Sequence, residues 1–428
     1  MEERAHLSDK MKLSNIEGTD RFSDSEDDPL GELEVIQRLE VGPVRLEMNR
    51  ITAPYRVISN QADDTIDLTY RFEEDVFVPD ESASINLGNM ISAQVALNYG
   101  LFCKEIVFRG QFDTHDRRFI QDMAKNTARE IFVKKFLEPN PFLIESVTDL
   151  PPTKLRTYLR AKILFPDTYS GPEPESLKKG VRSDGWNGGN SRHAVLSSGG
   201  KDSLLSFALL KEIGCDVHPI FINESGRHWF TALNAYRHFR EHVDNTARIW
   251  TNADRVFNWM LRHLPFVRKD FERLRSDEYP IRLWTVSVFL FGALPLLKKR
   301  GIGRLVIGDE FDTTCRLSHK GITHYDGLYD QSRYFDNALT RYFHQKHWEI
   351  SQFSILRPLS EVLIEKILTG RYQELQRHQV SCHAAHPAVD RVRPCGRCEK
   401  CRRIVGMLLA LGVIRPCAVI QQTRLNSA

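Results

Sequence analysis

The stretch that decides the fold runs His193-Ala194-Val195-Leu196-Ser197-Ser198-Gly199-Gly200-Lys201-Asp202-Ser203-Leu204-Leu205-Ser206-Phe207-Ala208-Leu209. Ala194-Val195-Leu196 reads as a short buried strand. Ser203 to Ile213 reads as a helix with apolar Leu204, Leu205, Phe207, Ala208 and Leu209. The turn between them is rich in serine and glycine. Such a turn sets backbone N–H groups at a helix N-terminus, where unpaired donors and the helix dipole favour an anion. Gly199 and Gly200 lack Cβ atoms, so backbone can approach a phosphate closely. Ser197, Ser198 and Ser203 add hydroxyls, and Lys201 adds a point charge. Asp202 repels phosphate, and it makes sense there as a ligand for Mg²⁺ or as a helix cap. The bland alternative is an ordinary turn with an Asp cap. The spacing is not that of the P-loop, which needs Gly, four residues, then Gly-Lys-Ser/Thr.

Downstream, the same grammar repeats. Val217–Ile222, Ala247–Trp250 and Arg304–Ile307 read as strands, with helices over Phe230–His242, Val256–Leu264 and roughly Leu283–Lys299. Strands alternating with helices predict an α/β fold with a parallel sheet covered on both faces. Upstream, alternation in Val44–Met48 and Ile66–Tyr70, a strand at Glu105–Phe108 and helices over Ser84–Tyr99 and Thr114–Phe136 predict a smaller α+β domain. The expected division is an acidic tail over 1–32, the α+β domain over 33–165 and a Gly/Pro/Ser-rich linker over 166–191. A phosphate-turn α/β domain over 192–375, a cysteine knuckle with its helix over 376–415 and a tail over 416–428 complete it.

Four of the eight cysteines crowd together: Cys382 precedes Cys395-Gly396-Arg397-Cys398-Glu399-Lys400-Cys401. Four thiolates at this spacing close a tetrahedral shell and leave no open position, which points to structural zinc. His383 or His386 is an alternative to Cys382. An iron–sulfur cluster and unliganded thiols are the competing readings. Cys103, Cys215, Cys315 and Cys417 are scattered.

Gly308-Asp309-Glu310-Phe311-Asp312 follows a buried strand, so its carboxylates emerge where ligands bind in open α/β sheets. Asp309, Glu310, His319 and His324 are candidate proton carriers. The segment from Arg316 to Tyr334, dense in polar and aromatic groups, reads as a substrate loop. Ser354–Arg357 reads as a strand whose last residue, Arg357, is either a phosphate clamp or a surface ion pair, with Ser360 capping the next helix.

The chain has 59 basic and 56 acidic residues among 428, a net charge of +3, so its whole surface is no nucleic-acid footprint. Its first residues are polar, and the longest apolar run, Leu283 to Leu297, is shorter than the ~20 residues of a spanning helix and contains Pro295. A cytoplasmic protein without a membrane span is expected.

The Ser-Gly-Gly-Lys-Asp-Ser run resembles the signature of the ATP-pyrophosphatase (PP-loop) superfamily, whose members cleave ATP between the α and β phosphates. The long N-terminal part, Gly199–Ser203, the post-strand Asp309-Glu310, Arg357-Pro358-Leu359-Ser360-Glu361 and the cysteine knuckle together look like one family within it. That family is the ATP-dependent UDP-N-acetylmuramoyl-L-alanyl-L-glutamate epimerases, over most of residues 35–415. It has Asn where this chain has Asp309, and its later His/Lys segment is only loosely echoed. The resemblance implies ATP with Mg²⁺, adenylation of a carboxylate and inversion of a terminal glutamate on a nucleotide-sugar peptide. A nucleobase- or tRNA-modifying enzyme of the same superfamily is the enzymatic alternative. A nucleotide-binding zinc-ribbon interaction module is the non-enzymatic one.

Overall fold

The computed structural model describes residues 28 and 30–414 apart from 61–62, 149, 168–185, 187, 227, 275, 277–278, 383–384 and 389–390. The expected C-terminal tail, almost all of the acidic tail, most of the linker, His383 and Cys417 therefore lie outside the described residues.

The protein is α/β, built on one large sheet. Its second half supplies β7 (Gly189–Leu196), β8 (Asp216–Asn223), β9 (Ala247–Thr251), β10 (Ile302–Val306) and β13 (Ser351–Phe353). They lie side by side as β9-β8-β7-β10-β13, every pair parallel. Renumbered within this half, the order is 3-2-1-4-5, that of doubly wound sheets. The winding reverses between β7 and β10, and the loops leaving those two strands open a crevice there. Helices Lys201–Glu212, His228–His242 and Ala253–Leu261 follow β7, β8 and β9, while Val286–Arg300 leads into β10.

The first half continues the same sheet. β4 (Asp63–Phe72) pairs antiparallel with β9 through Tyr70↔Thr251, Arg71↔Trp250 and Phe72↔Ile249. Asn252 extends the ladder from its side chain, accepting from Thr69 N at 2.7 Å and donating to Asp67 O at 2.8 Å. Beyond it come β3 (Arg50–Ile58), with β2 (Arg45–Glu47) on its flank, then β1 (Ile36–Val41), β5 (Cys103–Phe108) and β6 (Lys162–Leu164). One hydrophobic core runs through both halves, from Tyr55 and Tyr70 to Phe291 and Trp284. Buried polar groups lock the halves together: Asn98 Oδ1 accepts from the backbone N–H groups of Leu283 and Trp284, and Trp284 Nε1 donates to Gln94 Oε1 at 3.1 Å.

Two local readings shift. β7 begins at Gly189, within the stretch read as linker, and Trp186 is buried there, stacked on Trp348 at 4.6 Å between ring centroids. The strand expected at Ser354–Arg357 lies at Ser351–Phe353, and a turn follows. Ser354 ends the ladder because its Oγ takes the place of backbone, accepting from Asp309 N at 3.0 Å and donating to Asp309 O at 2.8 Å. Among the described residues no helix is long and apolar enough to cross a membrane.

Candidate functional site

A cavity of about 370 Å³ opens at the C-terminal edge of the parallel strands, where β7 and β10 diverge. Ser197, Ser198, Gly200, Lys201, Asp202 and Ser203 form one wall, and Gly308 and Asp309 face them from the end of β10. Two glycines make this geometry possible. Gly199 has φ +74°, and a Cβ there would stand 2.6 Å from Thr231 O and 2.9 Å from Ala232 Cα. A Cβ on Gly308 would stand 2.7 Å from the Asp202 carbonyl carbon. The turn is thus pressed between the start of helix His228–His242 and the end of β10. Helix Lys201–Glu212 begins at the cavity wall, so its first turn, the part of a helix whose N–H groups lack intrahelical partners, borders the cavity. Ser203 Oγ donates to Gly200 O at 3.1 Å, and Ser197 Oγ donates to Ser203 Oγ at 3.4 Å, which holds the turn in shape.

Lys201 is only 5% exposed at its side chain, with Nζ 2.8 Å from Asp202 Oδ1 and 3.3 Å from Glu361 Oε1. Burial works against its charge, but Asp202, Glu310 and Glu361 outweigh burial and hold the ammonium protonated. Burial pushes the carboxyl of Glu310 upward, and repulsion from Asp202 adds to it. Asp202 is also raised, chiefly by burial, with Glu361 contributing. Asp202, Glu310 and Glu361 share the Lys201 ammonium, with Arg403 reaching Glu361 at 3.2 Å from the rim and Lys400 acting on Asp202. Such a donor set suits a hard divalent cation, whose charge would reverse the upward shifts.

The other residues marked in the sequence are placed differently. Asp309 is buried, and its Oδ2 receives Arg357 NH2 at 3.4 Å. Arg357 spends its guanidinium on protein: Asp336 at 2.7 and 3.1 Å, Thr313 Oγ1 and Gln331 O each at 2.7 Å. It is not among the cavity-lining residues and acts as a brace beneath the site. His319 and His324 do not line the cavity either. They belong to the hairpin of β11 (Arg316–His319) and β12 (Ile322–Tyr325), which docks on helix Thr114–Ile131 through Tyr325 N donating to Glu130 Oε2 at 3.2 Å. Burial lowers the pKa of His324. Of the polar segment from Arg316 to Tyr334, only Gln331 reaches the cavity.

The cysteine cluster abuts the phosphate-type turn. Val380 N donates to Gly199 O at 3.0 Å, and Ser381 and Cys382 join the cavity wall. The sulfurs of Cys382, Cys395, Cys398 and Cys401 all lie within 4.8 Å of one another. Two pairs, Cys395–Cys401 and Cys382–Cys398, are 3.9 Å apart. Four thiolates at ~2.3 Å from a tetrahedral zinc would be separated by about 3.8 Å. The set fits a metal such as zinc. Backbone N–H groups of Cys395, Cys398 and Cys401 point at the sulfurs of Cys382, Cys395 and Cys398 at 3.2 to 3.4 Å, an outer shell that stabilises thiolates. His386 stands in a two-stranded hairpin with Val392–Arg393 and outside the four-atom cluster.

Sequence reading passed over the far end of the cavity, where Glu224, Asp254, Tyr279 and Arg282 line the wall, and over Glu361, Lys400 and Arg403 near the turn. Glu224 follows β8 at the same sheet edge as Asp309 follows β10, and that position was a legible signal. No family model matches the chain, and no curated protein is significantly similar to it.

Proposed function

We propose that this protein is an ATP-dependent adenylating enzyme, and that it activates the terminal glutamate carboxylate of UDP-N-acetylmuramoyl-L-alanyl-L-glutamate or a related peptide for epimerisation. The observation that carries the reading is the turn Ser197–Ser203 at the winding reversal, facing a cavity lined by Lys201, Asp202 and Glu361, with Glu310 acting on Lys201 from behind the wall. First-turn N–H groups, Ser198 and Lys201 would bind the phosphates. Asp202, Glu310 and Glu361 are the residues that would hold Mg²⁺, which supplies charge neutralisation for the pyrophosphate leaving group. A carboxylate oxygen of the acceptor attacks the α-phosphorus, and the bond to the bridging α–β oxygen breaks. The electron pair leaves with pyrophosphate. A free carboxylate resists loss of the α-proton; the mixed anhydride accepts the enolate charge, reprotonation on the other face inverts the centre, and water then cleaves the anhydride to give the inverted carboxylate and AMP. The cysteine cluster, as a structural zinc site, would pin Val380–Cys382 over the turn.

The test is ATP/pyrophosphate exchange with a panel of acceptors. Exchange stimulated by the muramoyl dipeptide supports the reading. Dependence on tRNA would move the protein to the nucleobase-modifying class, and silence with every acceptor would sink both. Metal analysis should find one zinc per chain, lost in Cys398→Ser; iron with labile sulfide would overturn the zinc assignment.

A further inference from the structure

Among the described residues, the end of the cavity away from the cysteines holds two hydrogen-bonding atoms without partners. Glu224, 5% exposed, leaves Oε1 buried and unbonded. Arg282 spends NH1 on Asp254 Oδ1 at 2.8 Å, and its guanidinium lies 4.1 Å from the Tyr279 ring centroid and 4.7 Å from that of Phe257. Its Nε is buried and unbonded too. Both residues line the cavity, and each feels the other's charge. Buried polar atoms are rarely left unpaired, and two beside one cavity call for a ligand that supplies both partners.

We infer that Glu224 and Arg282 form a subsite for the O=C–N–H edge of an oxo-nucleobase carried by the acceptor substrate. The Nε–H of Arg282 donates to the exocyclic oxygen, and the ring N–H beside it donates to Glu224 Oε1. A trans peptide group cannot serve both atoms from one edge, because its C=O and N–H point in opposite directions. A lactam presents them side by side. Arginine favours oxo acceptors such as guanine O6, which sets guanine- and uracil-type bases above adenine. Phe257 and Ile222 supply apolar wall for the ring. Asp254 and Tyr279 position the guanidinium and touch no ligand in this scheme. The subsite is independent of ATP use, so its test omits ATP.

The full chain is titrated calorimetrically with UMP, GMP and AMP, as wild type and as Glu224→Leu, Glu224→Gln and Arg282→Lys. UMP or GMP should bind, and whichever does identifies the base. Glu224→Leu and Arg282→Lys should each weaken that binding roughly ten- to a hundredfold, the effect of losing one buried partner. Glu224→Gln, whose amide oxygen still accepts, should lose less. Burial, with Asp254 adding and Arg282 opposing, lifts the Glu224 carboxyl to about 7, and Tyr279 also faces it. For the nucleosides uridine and guanosine, which carry no phosphate that titrates in this range, wild-type affinity should therefore rise between pH 6 and 8 as the carboxyl ionises, and Glu224→Gln should be flat. AMP losing as much affinity as the oxo-bases would overturn the inference, as would nucleotide binding indifferent to all three variants. Should Arg282→Lys fail to fold, the two Glu224 variants carry the test alone.

Discussion

Two lysines lie deep in this protein beside the first turn of a helix, each against a pair of carboxylates. Lys346 contacts Asp113, Asp116 and Asn86, and Tyr342 Oη completes Asp116 at 2.7 Å. Asp113 and Asp116 also form the capping box of helix Thr114–Ile131, so the cluster is satisfied by protein on every side. Lys201 contacts Asp202 and Glu361 with Glu310 nearby, but Lys201, Asp202 and Glu361 line an open cavity. The residue types are nearly the same. What separates a fastener from a candidate site is open space, and the two should respond to substitution in opposite ways.

The largest effect should fall on the closed cluster. Lys346→Met leaves Asp113 and Asp116 without their counter-ion, and chemical denaturation should show a loss of about 3–5 kcal/mol. Lys201→Met should cost no more than about 1 kcal/mol, since cavity water reaches its partners. If the two losses are equal, the contrast is broken.

Next comes Asp202→Asn. It keeps the shape of the turn, so the melting curve should barely move, while ATP/pyrophosphate exchange falls roughly a hundredfold or more. An unfolded variant would place Asp202 with the structural cluster instead. Gly308→Ala sharpens the same point from the opposite wall: its Cβ would press on the backbone at Asp202, and relief should cost about 1–3 kcal/mol, read by denaturation.

A further effect is one of pH. Burial lifts the carboxyl of Asp330 to about 7, although its Oδ2 accepts from Thr285 N at 3.0 Å and Ser287 N at 3.1 Å. A folded pKa above the unfolded value means that the native state holds the proton more tightly. Stability from this group is thus full below about 3.8 and is lost as pH rises to about 7. Asp330→Asn should remove that slope from denaturation curves measured across the window; an unchanged slope would assign it to other groups.

The contrast also marks how far one-dimensional reading reaches. The turn at Ser197–Ser203 was legible because its signal is local: glycines, a strand before it and an amphipathic helix after it. The four cysteines were legible for the same reason, since a turn as tight as Cys395-Gly396-Arg397-Cys398 brings its thiols together almost unaided. His319, His324 and Arg357 looked equally chemical. Their side chains were drawn into a hairpin dock and a buried brace, and neither partner lies near them in the chain. Glu224 had a local signal in its place after β8, but Arg282 had none, and their meeting depends on β8 and the segment before helix Val286–Arg300 facing each other across the cavity.

The sequence by itself determined the strand–turn–helix at Ser197–Ser203, the α/β alternation and the cysteine cluster, all of which rest mainly on signals within short stretches of chain. Only tertiary structure decided that both halves share one sheet through β4 and β9, and which carboxylates surround Lys201. It alone left two unpaired atoms at the far end of the cavity. Those outcomes depend on burial and on long-range partners, and a residue's desolvation and its distant neighbours are not written in its own stretch of chain.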